Sequence, residues 1–241
     1  MKIYDETISA ELKLLEGFQP DKVVTDFGEA DSWPDGGNND MIFGSDMAYE
    51  LGAGSLHAIS EQLMTNDEGF FAKSSVELFG SDLDEIKADR SYAKLVLLKL
   101  KDDSFLKDED IYDKIRAIQY TKYHIHPKGY MARVSASSLR EQVRVSKQAI
   151  KDGISFLHVG AQIGKAYEKY PQVERVKVIF ITREDFDFTK LKELSLASEQ
   201  ITSALDHVLK DVTMNCSSCN IKEICDEVEG MKELHFSTAR V

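Results

Sequence analysis

Two apolar runs constrain this chain more than anything else in it: Ala93-Lys94-Leu95-Val96-Leu97-Leu98-Lys99-Leu100 and Val176-Lys177-Val178-Ile179-Phe180-Ile181-Thr182. Each has strand length, and the second, rich in β-branched residues, is the strongest strand signal in the sequence. Ser75-Val76-Glu77-Leu78-Phe79-Gly80 alternates polar and apolar and reads as another strand, joined to the first run through the acidic link Ser81–Ile86. A shorter strand before Gly52-Ala53-Gly54 runs into a tight turn. That G-x-G lacks the third glycine of a dinucleotide fingerprint and says little about nucleotides.

Helical spacing fills the intervals. Ile8, Leu12, Leu15 and Phe18 mark an amphipathic stretch ahead of Pro20, and Ile111, Ile115 and Ile118 predict a helix over 108–122. Ser138 with Glu141 three residues later forms a capping-box pattern. It predicts a helix carrying Leu139, Val143 and Ile150 to Gly153. A further helix spans His158 to Lys169, where Gly160 and Gly164 let a neighbouring element come close, and Pro171 stops it. A long amphipathic helix runs from Phe188 to about Val212, while Tyr130 to Ser135 is a strand or an extended loop. Strands and helices interleave, and some strands are close enough to pair antiparallel. The expected fold is therefore α+β (α/β-like), a mixed sheet covered by helices. Residues 1–210 form the domain, and 211–241 a short C-terminal tail.

Charge narrows the function. Thirty Lys and Arg against 42 Asp and Glu give a formal net charge of −12. Broad binding to a nucleic-acid backbone, or docking on an anionic membrane, needs the opposite sign. No signal peptide or long apolar run is present, so a cytoplasmic protein is expected. Residues 114–151 invert the balance, with Lys114, Arg116, Lys122, Lys128, Arg133, Arg140, Arg144, Lys147 and Lys151 against Glu141. Such an island draws a phosphorylated ligand or an acidic partner, and the plainer reading is two solvated helix faces. On the predicted helix Arg140, Arg144 and Lys147 share one face, which makes them the candidate ligand-binding residues. His124 and His126 would pair on a strand, but without a third ligand they read as packing residues, as do the lone His57, His158 and His207. No G-x-S-x-G, Walker or H-E-x-x-H pattern occurs.

All three cysteines fall in the tail as Cys216, Cys219 and Cys225, with His235 ten residues on. Thiolates this close gather around a metal or cluster. Three of them suit a [4Fe–4S] cluster with one iron open or otherwise ligated, by His235, Asp226 or a partner. Zinc held by Cys3His is equally sound chemistry, and free thiols are the plainer alternative.

Several segments resemble a known family. Asp46-Met47-Ala48-Tyr49-Glu50-Leu51-Gly52, Gly80-Ser81-Asp82-Leu83-Asp84-Glu85-Ile86, Val143-Arg144-Val145-Ser146-Lys147 and Tyr170-Pro171-Gln172-Val173-Glu174-Arg175, leading into the last strand, are the segments concerned. They follow the order and intervals of the middle domain of the acetyl-CoA synthase β subunit of the carbon monoxide dehydrogenase/acetyl-CoA synthase complex. In that family a C-x-x-C opens the site of an iron–sulfur cubane bridged to the nickel-site metals. Here Gln142 stands where the family tends to carry tryptophan, and Cys225 follows Cys219 sooner than the family's next cysteine would. The resemblance implies a stand-alone middle-domain relative in one-carbon metabolism, in the acetyl-CoA pathway or corrinoid methyl transfer. Its implied partners are CoA, a corrinoid iron–sulfur protein, a methyltransferase or a CO dehydrogenase-type subunit, with a three-Cys iron–sulfur site in the tail. Acetyl-CoA synthesis by this chain alone is not implied. The second reading is a non-catalytic docking or assembly module with a structural zinc or no metal.

Overall fold

The computed structural model describes residues 3–28, 32–37, 40–101, 111–134 and 140–209. In chain order the elements are α1 (Asp5–Leu15), β1 (Lys22–Val24), β2 (Met47–Leu51), β3 (Ala58–Thr65), β4 (Ser75–Phe79), β5 (Tyr92–Leu100) and α2 (Ile111–Tyr120). A 3-10 turn (Thr121–His124) follows, then β6 (Tyr130–Val134), β7 (Glu141–Ser146), α3 (Lys147–Lys151), α4 (Phe156–Tyr167), β8 (Val173–Ile181) and α5 (Phe188–Leu209). The α+β expectation holds, with two sheets rather than one.

The larger sheet runs β1-β4-β8-β5-β3. Its β4–β8 and β5–β3 pairs are parallel, and β8–β5 and β1–β4 antiparallel. Every residue of β5 is buried, which is why this strand reads as a nearly continuous apolar run. Alternate side chains go to opposite faces. Val96, Leu98, Val178 and Phe180 join one apolar cluster with α4 and the smaller sheet, while Leu95, Leu97, Ile179 and Ile181 join another with α1 and α5. Burying each such side chain is worth about 1.5–3 kcal/mol, so these two faces supply most of the folding drive.

The smaller sheet is antiparallel, the β6–β7 hairpin with β2 added along β7, in the order β2-β7-β6. Tyr49, Leu51, Tyr130, Val143 and Val145 pack its inner face onto the first cluster. On α4, a Cβ at Gly160 would strike Val76 and one at Gly164 would strike the Phe27 ring. The two glycines thus permit the close approach that their spacing suggests.

Two expectations are corrected. The helix anticipated from Ser138 to Gly153 is instead strand β7 followed by the short α3. Burial along Glu141–Ser146 repeats every second residue, and tertiary pairing with β2 and β6 overrides the helical capping pattern. Ser146 is the cap, its Oγ accepting from the Gln148 and Ala149 amides at 3.0 and 3.3 Å. Ser138 lies outside the described residues. Second, His124 ends the 3-10 turn, so His124 and His126 do not share a strand. Strands β3 and β1 carry no clear sequence signal: β3 is the mixed run Ala-Ile-Ser-Glu-Gln-Leu-Met-Thr at the sheet's edge. No helix among the described residues is long and apolar enough to cross a membrane.

Candidate functional site

Strand β7 carries the basic residues outward. A spacing of four keeps two side chains on one face of a helix, and also on one face of a strand. Arg140 and Arg144 therefore still lie on one side although the helix is a strand. Across the sheet, Arg144 stands opposite Glu50 of β2 and Met131 of β6. Its Nε donates to Glu50 Oε2 at 2.8 Å, and Arg133 Nη2 donates to Glu50 Oε1 at 2.6 Å. Partial burial opposes the charge on Glu50, but the two guanidinium groups outweigh it and hold the carboxyl below the usual carboxylate range. Arg140 Nη2 donates to the carbonyls of Gly52 and Gly54 at 2.6 and 2.7 Å. Lys147, the first residue of α3, donates from Nζ to the Ser45 carbonyl at 3.0 Å. The three expected ligand-binding residues are thus strung along one strand and its two ends, each already anchored to backbone or carboxylate.

Beyond the Lys147 end lies an open cleft of about 650 Å³, bounded by Trp33, Ile42, Asp46, Lys128, Ser146 and His158. The Trp33 indole stacks on the His158 ring at 5.5 Å and donates from Nε1 to the Lys128 carbonyl at 2.8 Å. The segment beside it exposes Met41 and Phe43, 60% and 69% accessible, the two most exposed large apolar side chains among the described residues. The volume suits a small-molecule site, and an exposed apolar pair next to it suits contact with another surface.

Inside, the join between the sheets is polar. Lys94 of β5 donates to both oxygens of Glu141 at 2.6 and 2.8 Å. Tyr92 and Tyr130 share a hydroxyl hydrogen bond of 2.9 Å, and Tyr92 also donates to Glu141 at 3.4 Å. Tyr167 donates to Gln62 at 2.8 Å. Burial pushes the Tyr92 and Tyr130 hydroxyls well up, with Glu141's charge adding to it, so both stay protonated. Lys122 borders a small cavity of about 30 Å³ at this join, which has room for one or two waters. Burial lowers its pKa against the pull of Glu141, Glu199 and Glu61. On the other face of the larger sheet Glu11 of α1 and Glu61 of β3 meet beneath α5, where Ser198 donates to Glu61. Burial first, then their mutual repulsion, raises Glu11 well above the ordinary carboxylate value, and burial raises Glu61. None of these groups stands out from sequence except as a charge inside an apolar strand, where a lysine such as Lys94 requires a partner.

Cys216, Cys219, Cys225 and His235 lie outside the described residues. Among the described residues no group of three or more His, Cys, Asp or Glu side chains is placed to hold a metal ion.

Two sheets closed on a polar seam, with a basic outer face on the smaller sheet beside an aromatic-walled cleft, define an α+β domain built to present a surface. The model of the CO dehydrogenase/acetyl-CoA synthase complex beta subunit family matches residues 38–186. The chain belongs to that family. The match covers β2 to β8 and brackets the segments whose order carried the resemblance. No curated protein matches the chain significantly.

Proposed function

We propose that this protein serves one-carbon metabolism, in the acetyl-CoA pathway or corrinoid methyl transfer, by binding CoA or a corrinoid protein partner. The observation that carries this is the basic outer side of the smaller sheet. Arg133 and Arg144 meet there around Glu50, with Arg140 at one end of the strand and Lys147 at the other, in a protein of net charge −12. A positive patch on an acidic body focuses potential and selects anionic ligands or acidic partner surfaces. A corrinoid iron–sulfur protein, a methyltransferase or a CO dehydrogenase-type subunit is the partner class the family supports.

The tail completes the proposal. Three thiolates with an imidazole in reach of sequence fit a [4Fe–4S] cluster, and the same donors fit zinc. When bound, a cluster would supply one-electron chemistry or an open iron, and Cys216, Cys219 and Cys225 would hold it. Anaerobic purification with iron, sulfide and zinc analysis and a visible spectrum tests this. A colourless, metal-free protein after anaerobic reconstitution refutes it.

For the ligand, CoA should raise the melting temperature of the protein, and Arg144→Ala with Lys147→Ala should abolish the rise. If CoA has no effect but a corrinoid protein co-elutes, the docking reading takes its place.

A further inference from the structure

We propose that a second anion site lies at the opposite end of β7 from Lys147, in a recess of about 190 Å³ between the β2–β3 turn and α5. Its basic groups are His57, Arg140 and Lys192, with the hydroxyl of Ser55 beside them. Among the described residues no carboxylate lines it, whereas the cleft near Trp33 is lined by Asp40, Asp46 and Asp152. In so acidic a chain, a recess whose described lining offers bases and hydroxyls selects for negative charge. Its volume holds an ion the size of phosphate, free or as the end group of a larger molecule, and is too small for a nucleotide.

The walls are built in advance. Gly52 has φ +71°, and a Cβ there would overlap Ala58, so the turn closes tightly only with glycine. Arg140 clamps that turn by its bonds to the Gly52 and Gly54 carbonyls, and its backbone bridges to Ile59 of β3. The His57 ring lies flat on Phe188, 5.8 Å between centroids and 11° between planes, and its amide donates to Ser91 Oγ. Lys192 is exposed on α5 and has no ion-pair partner among the described residues. Two bases are therefore fixed before any ligand arrives, and the third is free to close over it. A site pre-organised this way loses little entropy on binding.

Titrating the full chain with inorganic phosphate, followed by amide chemical shifts, tests the proposal. Saturable shifts confined to Ser55–Ala58 and the facing turn of α5, weakened about ten-fold or more by Lys192→Glu, support it. That loss is the size of one charge-assisted hydrogen bond. Non-saturating shifts, an unchanged affinity in Lys192→Glu, or shifts centred on Arg144 and Lys147 overturn it. The proposal extends the ligand-binding reading but fails separately from it. Phosphate binding here with no response to CoA leaves this site standing and removes that reading. Loss of CoA competition with phosphate when dephospho-CoA replaces CoA identifies the terminal phosphate as the group that fills the recess.

Discussion

Lys94 and Glu141 meet as a buried, two-pronged ion pair that ties the larger sheet to the smaller one. Their side chains are 9% and 2% exposed, and Tyr92 caps the carboxylate from the side. A pair so dry contributes little net stability, but either charge left alone inside is costly. Glu141→Gln should lower the stability by about 3–5 kcal/mol, read from urea denaturation. The double change Lys94→Met with Glu141→Leu should recover much of that loss. If the single change is silent, the pair is not dry in solution.

The Glu11–Glu61 contact predicts a pH dependence of the opposite sign to that of most carboxylates. Both groups have folded values raised from an ordinary 4.5, so the folded chain keeps a proton that the unfolded chain has already lost. Stability therefore falls as pH rises from about 4.5 toward the raised values. The facing groups are Ser198, which donates to Glu61, with Lys122 opposing and Glu199 adding to the shift of Glu61. Glu11→Gln should stabilise the protein by about 1–3 kcal/mol at pH 8 and gain progressively less near pH 4.5, measured by thermal melts across that range.

The glycines of α4 make a steric prediction. Gly160→Ala pushes a methyl into Val76, and Gly164→Ala pushes one into the Phe27 ring. Helix propensity alone would favour alanine by about 1 kcal/mol. Overpacking should win, with each variant losing about 1–3 kcal/mol in chemical denaturation.

Glu50 offsets the charge of Arg133 and Arg144. Glu50→Gln should raise the positive potential of the sheet face and tighten CoA or acidic-partner binding a few-fold, with a steeper salt dependence. It should also cost about 1 kcal/mol of stability, because the ion pairs are partly exposed. Calorimetric titration at two salt concentrations separates the two effects. Weaker binding in this variant would place the ligand elsewhere.

Much was legible from periodicity. The runs now seen as β4, β5 and β8, the helices α1, α2, α4 and α5, and the family's segment order all follow from local pattern, because burial on one or two faces writes itself into apolar spacing. The basic residues were legible too, though on the wrong element, since a spacing of four fits both a helix face and a strand face. What local pattern could not carry was pairing. Glu141 reads as a capping residue until β2 and β6 flank its segment, and β3 carries no clear strand signal until it pairs with β5. The partnership of Lys94 with Glu141, of Glu11 with Glu61, and the recess at Arg140 depend on contacts between residues 47 or more positions apart, or on different elements. Sequence by itself determined which residues must be buried and which charges exist in surplus. Tertiary structure alone decided which charge meets which, because strand order and sheet closure are set by the whole core.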